Sequence, residues 1–314
     1  MARIVYIAGA GHSGSTLLDV VLGNHPAIVS VGELSYVFHD WERPTRRCSC
    51  GRRHQECTLW SGLRLEEPWD ALERLTRTVE RIGRLPQLMA GRVPRDLRQR
   101  YRAAQRGVFD YVEAQTGRSI VVDSSKTFAG TAGRPLALAE VGGMDVRVIH
   151  LVRNGPDTMS SYLHPQRRRA HGHKRNGPWL GLQTVLGWVG ANVVAARVGR
   201  ALGRNRYLRV HYEQFMQEPR RVLEAIGRFG GFDVEALTAR IERNDTFDLG
   251  HLARGNREVV RTTAVRLQRD RRLGAPELNW AHRMMFTALG GWLNHRYGYD
   301  GRSVGGNPVA AEES

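Results

Sequence analysis

The sequence predicts an α/β chain: a mostly parallel sheet of about five strands with helices between them. Three observations predict it. Short apolar runs of strand length alternate with longer stretches of helical periodicity. The first of these runs opens directly into a glycine-rich turn and then a helix-like run, and the later ones end on polar or charged residues. In an open α/β sheet, ligands bind at the carboxyl ends of the strands, so those residues fall on one working edge.

Ile4-Val5-Tyr6-Ile7-Ala8 reads as a buried parallel strand, and Leu17-Leu18-Asp19-Val20-Val21-Leu22 as the helix that follows, closed by Gly23-Asn24-His25-Pro26. Between them stands Gly9-Ala10-Gly11-His12-Ser13-Gly14-Ser15-Thr16. The free N–H groups of a first helical turn and the helix dipole make such a turn a cradle for a phosphate-sized anion. Its glycines let the backbone approach that anion closely. Gly9, Gly14 and Thr16 have the spacing of a nucleotide-triphosphate P-loop, but Ser15 occupies the place of the lysine that reaches the β- and γ-phosphates. A cradle without that lysine suits a single 5′-terminal phosphate group. The alternative is a tight strand-to-helix turn with no ligand.

A second strand, Ile28-Val29-Ser30-Val31, ends in Gly32-Glu33, which makes Glu33 a candidate general base. A helix cap or a solvated loop carboxylate is the other reading. Cys48, Cys50, His54 and Cys57 then lie within ten residues, a set that can ligate zinc. Only Ser49 separates the first two cysteines, where paired zinc ligands keep a longer gap. A local disulfide or a packed loop fits as well, and the cluster is expected to be metal-free.

Residues 69–115 turn helical. Leu72, Leu75, Val79 and Ile82 share one face, as do Leu97, Tyr101, Ala104, Val108 and Val112, with Gly83, Pro86, Gly91 and Pro94 breaking the segment in two. Residues 40–115 thus read as a helical, cysteine-containing insertion beside the sheet. Strands resume at 119–122, ending in Asp123-Ser124-Ser125-Lys126, and at 146–152, ending in Arg153-Asn154. A helix over 157–163 carries Ser160 and Ser161, so that Arg153 and Ser161 can clasp a second phosphate. The run at 166–175 is rich in Arg and His and reads as a solvated basic loop. A long helix follows over 179–202, then a fifth strand at 206–210 delivering His211-Tyr212-Glu213, then a helix opened by Pro219. A basic stretch over 251–261 precedes a last helix whose stripe of Ala281, Met284, Met285, Ala288, Leu289, Trp292 and Leu293 is expected to be core. Residues 303–314 read as a disordered tail, leaving 1–302 as one domain.

Composition sets bounds. With 314 residues, 41% apolar content and seven tryptophans, the chain can bury a sizeable core. No run approaches the roughly 18 apolar residues of a membrane helix, and the first strand starts too near Met1 for a leader, so no transmembrane segment is expected. Three cysteines provide no disulfide framework and point to a reducing, cytoplasmic setting. A net charge of +16 attracts nucleic acid, acidic headgroups or a multiply charged nucleotide.

The motifs together resemble the sulfotransferases. Gly11-His12-Ser13-Gly14-Ser15-Thr16-Leu17-Leu18 resembles their 5′-phosphosulfate loop. Leu151-Val152-Arg153 through Ser161 is similar to their 3′-phosphate motif, and Val210-His211-Tyr212-Glu213-Gln214 to their tyrosine-containing strand end. The match runs from about residue 4 to 232, weakens over 40–115 and returns at Gly255-Asn256. It is nearest the bacterial and Golgi-type branch that includes the tyrosylprotein sulfotransferases, which share the Ser-Gly-Ser-Thr and Gly-Glu motifs. The resemblance implies a P-loop-like α/β sandwich and a 3′-phosphoadenosine-5′-phosphosulfate (PAPS) donor with no metal. It also implies Glu33 as catalytic base and Lys126 as the group stabilising the transferred sulfonate. His12 stands where the branch usually has Arg or Lys, and a neutral imidazole donates one hydrogen bond without a fixed charge. Gly11, His12, Ser13, Gly14, Ser15, Thr16, Leu17, Arg153, Ser161, Tyr212, Gly255 and Asn256 are the implied donor-binding residues. Two rivals remain: a P-loop nucleotide kinase or NTPase, with Asp123 as a magnesium ligand, and a non-enzymatic nucleic-acid-binding protein. No nucleic-acid partner is expected under the sulfotransferase reading. Sugars, glycolipids, phenols and peptides are all open as acceptors.

Overall fold

The computed structural model describes residues 2–164, 178–256, 259–267 and 278–299. The basic run at 166–175 and the tail at 303–314 lie outside the described residues. Five strands, β1 (Arg3–Ala8), β2 (Ile28–Ser30), β3 (Ile120–Asp123), β4 (Val146–Val152) and β5 (Tyr207–His211), form one sheet in the order β2-β3-β1-β4-β5. Every pairing is parallel, with Tyr6 opposite Asp123 and Val148, and Val152 opposite His211. All four strand positions around β1 came from apolar runs legible in the chain, shifted by a residue at their ends. After β3 the chain crosses to the other side of β1, which puts the loop after β1 at the point where the strand order reverses.

Both faces of the sheet are covered, as an all-parallel sheet requires. Ile4 and Tyr6 point into one core with Trp60, Tyr101, Phe109 and Val194. Val5 and Ile7 point into the other with Leu18, Leu223, Ile226 and Phe247. The helices that matter below are α1 (Ser15–Gly23), α2 (Trp69–Glu80), α3 (Arg95–Thr116), α4 (Gly155–Leu163), α5 (Pro178–Leu202), α6 (Tyr212–Gln217), α7 (Pro219–Gly230), α8 (Glu235–Glu242) and α9 (Trp280–Arg296). A two-stranded antiparallel ribbon, Thr246–Asp248 with Ala264–Arg266, was not foreseen, because three residues are too few to show a period.

Three expectations need correction. The break between α2 and α3 holds a further short helix, Leu85–Met89, and Ile82 is half exposed because α2 ends at Glu80, before Ile82 can join its face. Most of the stripe on α9 is not core. Met284, Leu289 and Trp292 are exposed, while Phe286, Gly290 and Leu293 face inward against α4 and α5. The helix carries apolar residues on both sides, so its period alone could not say which side is covered. Finally, α5 has the length and composition of a membrane span. Here its Val185, Trp188, Asn192 and Val198 are buried against the rest of the protein, as in a core helix.

Two buried charge networks tie these elements together. Arg134, with 0% exposure, donates to Asp123 at 2.8 Å and to Glu80 at 2.5 Å, and Tyr101 donates to the same Glu80 oxygen at 2.7 Å. One guanidinium thereby fastens the helical insertion (Glu80 on α2, Tyr101 on α3) to the end of β3. Asp19 on α1 is equally buried and accepts from Ser30 at 2.5 Å and Ser124 at 2.6 Å, joining α1 to the ends of β2 and β3.

Each network yields a measurable consequence. Arg134→Met leaves Asp123 and Glu80 buried and uncompensated, and should lower the unfolding free energy by about 3–5 kcal/mol. Urea denaturation reads this, and adding Glu80→Gln to the variant should restore part of the loss. Burial raises the Asp19 carboxyl from 3.8 to about 7, with the serine hydroxyls opposing the shift. The folded state therefore holds this proton more tightly than the unfolded chain. The associated stability is complete below pH 4 or so and is lost as pH rises through about 7, a change of on the order of 4 kcal/mol. Asp19→Asn should remove that component from the pH profile of unfolding.

Candidate active site

The turn between β1 and α1 is shaped by three left-handed residues: Gly9 at φ 123°, His12 at 62° and Gly14 at 89°. A Cβ on Gly9 would lie 2.4 Å from the Leu151 carbonyl oxygen, and one on Gly14 would lie 2.3 Å from the Tyr212 ring. Both positions need glycine for space as well as for φ. Arg153, at the end of β4, donates to the His12 carbonyl at 3.0 Å and lies over the Tyr212 ring at 4.7 Å. The Asn256 N–H donates to the Thr16 hydroxyl at 3.1 Å, and Gly255 sits against the Thr16 methyl. Residues from four separate stretches of chain therefore converge on one turn. The Ser13 hydroxyl and Arg153 Nε are buried there without a hydrogen-bond partner among the described residues. Buried polar atoms of this kind are costly unless something satisfies them, and both are donors suited to an anion. The His12 ring packs edge-on to Tyr162 at 5.1 Å, and Ser161 is buried on α4.

Beside the turn, Lys126 Nζ and Glu33 Oε1 form a short ion pair, each side chain 15% exposed. Glu33 opens a short helical turn, yet its carboxylate makes no cap bond, so the cap reading fails for the side chain. Its position is fixed through the backbone. Gly32 adopts φ 71° and runs so close to Arg254 that a Cβ would lie 2.1 Å from the Arg254 oxygen, which accepts from the Glu33 N–H at 2.8 Å. Lys126 is left-handed as well, at φ 65°, a conformation that costs a non-glycine residue about 1–2 kcal/mol. Hydroxyls grip its carbonyl: Tyr6 through a short bond and Thr131 at 3.1 Å. The next residue, Thr127, donates its N–H to the Gly9 carbonyl at 3.3 Å and accepts from the Gly9 N–H at 3.2 Å. The ion pair and the glycine turn are thus built as one unit.

Several of these supports escaped sequence reading: Tyr6, Thr127, Thr131 and Arg254. Each acts across more than a hundred residues of chain, or through a backbone atom, so no local pattern marks it. Arg254 had one signal, its place just before Gly255-Asn256. Asp123, the magnesium ligand that a kinase would need, is buried and bonded to Arg134 and Ser125. His211 is also engaged, with Tyr297 O at 3.0 Å and Gln214 at 3.2 Å, and burial lowers its pKa. His54 does not join the cysteines. Its ring stacks on Trp41, and Nε2 meets the Ala253 carbonyl at 3.1 Å. His251 takes its place beside Cys48 and Cys57.

Solved structures share this architecture. The sulfotransferase domain of the Synechococcus PCC 7002 olefin synthase superposes with a TM-score of 0.55 at 22% identity, covering 96% of this chain and 97% of its own. The sulfotransferase domain from the curacin biosynthetic pathway gives 0.50 at 16% identity, covering 92% and 98%. At those identities the likeness is one of fold. No curated protein sequence matches the chain. The family description that matches its sequence, over residues 5–236, is that of the sulfotransferases. That span takes in the glycine turn, the Glu33–Lys126 pair, Arg153 and Tyr212, and the chain belongs to the sulfotransferase family.

Proposed function

We propose that the protein moves a sulfonate group from PAPS to an acceptor hydroxyl or amine, with Glu33 as general base and Lys126 as the stabilising cation. The observation that carries this reading is the Glu33–Lys126 pair, held at the lip of the glycine turn by left-handed backbone at Gly32 on one side and at Lys126 on the other. Strain in a left-handed lysine persists only where its surroundings impose it, and such positions gather at working sites.

The residues fit the donor. The first-turn N–H groups of α1, the Ser13 hydroxyl and the space left by Gly14 suit a 5′-phosphosulfate. Arg153 Nε, together with Ser161 and the Gly255-Asn256 loop, suits the 3′-phosphate. The donor, when bound, supplies an activated sulfonate whose bond to the phosphate oxygen breaks as a bond to the acceptor oxygen forms. Glu33 takes the proton of the acceptor hydroxyl as that oxygen attacks. Lys126 donates to the oxygen on which negative charge grows. In the free protein each of these two groups holds the other in place.

Lys126 is one of only two lysines among 47 Lys and Arg, the other being Lys174. In a chain that meets nearly every need for a cation with arginine, a lysine here fits a demand for a compact, mobile ammonium rather than a planar fork. The kinase reading lacks both its lysine, replaced by Ser15, and a free carboxylate at Asp123.

Three experiments test the reading. Glu33→Gln and Lys126→Ala should each lower kcat by about a hundredfold or more, because both groups act mainly in the transition state. Affinity for adenosine 3′,5′-bisphosphate should be nearly unchanged in Glu33→Gln, and a near-normal kcat in that variant would remove the base assignment. The bisphosphate should also bind at least about tenfold more tightly than ATP in EDTA, a gap of about 1.4 kcal/mol by calorimetry. Arg153→Ala should raise the donor KM with little change in kcat, as expected for a contact to a non-reacting phosphate. Equal affinity for ATP, or an unchanged KM, would return the alternatives.

A further inference from the structure

Cys48, Cys50, Cys57 and His251 meet outside the site described above. Their sulfur and nitrogen atoms all lie within 4.8 Å of one another. Cys57 Sγ is 3.5 Å from Cys48 Sγ and 3.2 Å from His251 Nδ1, and Cys48 Sγ is 3.9 Å from the same nitrogen. Ligands around a tetrahedral zinc, at about 2.3 Å for sulfur and about 2.0 Å for nitrogen, sit roughly 3.7 Å apart. The observed separations bracket that spacing. We propose that these four side chains form a structural Cys₃His zinc site that clips the 48–57 loop to the strap at 250–256.

The surroundings are those of a ligand shell. Cys48-Ser49-Cys50-Gly51 is a tight knuckle closed by Gly51 N–H to the Cys48 carbonyl at 2.9 Å, with Gly51 at φ 83°. The backbone around both buried thiols is held as well, the Cys48 N–H donating to the Arg52 carbonyl at 3.0 Å and the Ser61 N–H to the Cys57 carbonyl at 2.9 Å. His251 offers Nδ1 to the cysteines while its Nε2 faces the Thr58 hydroxyl at 3.3 Å, an arrangement that orients the ring. Arg47 donates to the Gly51 carbonyl at 3.2 Å, bringing positive charge to a site with three thiolates. Cys48 and Cys57 are buried and Cys50 is exposed, which leaves an entry path for the ion.

The expectation of a metal-free cluster rested on the single residue between Cys48 and Cys50, with His54 taken as the cluster's imidazole. The imidazole that the fold brings beside the thiols is His251, 194 residues beyond Cys57. A zinc ion here would brace the strap that carries Arg254 and Asn256. Ser49 already pins it, through its hydroxyl to Gly250 O at 2.8 Å and from Leu252 N–H at 2.8 Å. Zinc would add a bond network of a different strength at the same seam.

The test uses the full chain purified without chelator from zinc-containing medium. Elemental analysis should find about one zinc per chain. Protein stripped and reloaded with cobalt under nitrogen should show thiolate-to-cobalt charge-transfer and tetrahedral ligand-field bands. Cys50→Ser alters an exposed side chain and His251→Ala a partly exposed one, so both should fold, as far-ultraviolet circular dichroism can check. Each should lower metal content at least about fivefold, and the stripped wild-type protein should melt at lower temperature than the zinc-loaded form. Three results would each overturn the proposal. The first is neither zinc as purified nor cobalt uptake after reduction. The second is metal content indifferent to both variants. The third is an intact mass short by two hydrogens, marking a disulfide between two of the three cysteines in its place.

Discussion

Parallel pairing throughout the sheet is the constraint from which the site follows. Because all five strands run the same way, each must be followed by a crossover, and every strand delivers its last residues to the same edge. Gly9, Glu33, Lys126, Arg153 and Tyr212 come from five different strand ends, and no other topology would collect them without long excursions. The reversal of strand order beside β1 then opens a crevice at the glycine turn. What gathers there is a matched set of donors for anions and one carboxylate.

Holding that edge in shape takes buried charge. Arg134 pairs with Asp123 and Glu80 where water cannot screen them, and Asp19 ties α1 to the ends of β2 and β3 through two serines. Such groups add little net stability compared with apolar replacements, but each is costly to leave half-paired, so together they admit one arrangement of the strand ends. The left-handed backbone of Lys126 is the visible result. Tyr6 and Thr131 hold its carbonyl in a conformation that the residue would otherwise avoid. The helical insertion is part of this support, since Glu80 and Tyr101 belong to it.

The strap at 250–256 is the second organiser. It reaches the cysteine knuckle through His251 and Leu252, the Gly32 corner through Arg254 and the glycine turn through Asn256. A short, irregular stretch far along the chain thus fastens the Glu33 loop to the glycine turn. Its carbonyls and N–H groups make these bonds, with the Arg254 guanidinium added over the Tyr36 ring at 4.0 Å, and a stretch of this kind has no period to read.

Much of the fold was legible from local pattern. Apolar runs located the five strands within a residue or so, and the Gly9–Gly14–Thr16 spacing located the turn, because buried strands and close backbone approach each restrict which residues can stand there. Glu33, Lys126 and Arg153 were legible as polar residues at strand ends, since parallel order puts such ends on one side. The sequence by itself therefore determined the sheet, the turn and the residues offered at its edge. Only the tertiary structure decided which of them meet: that Glu33 pairs with Lys126, that His251 and not His54 faces the cysteines, that Asp123 belongs to Arg134, and that most of the stripe on α9 faces outward. Those outcomes depend on contacts between residues far apart in the chain and on backbone atoms that every residue shares, and neither leaves a mark in local composition.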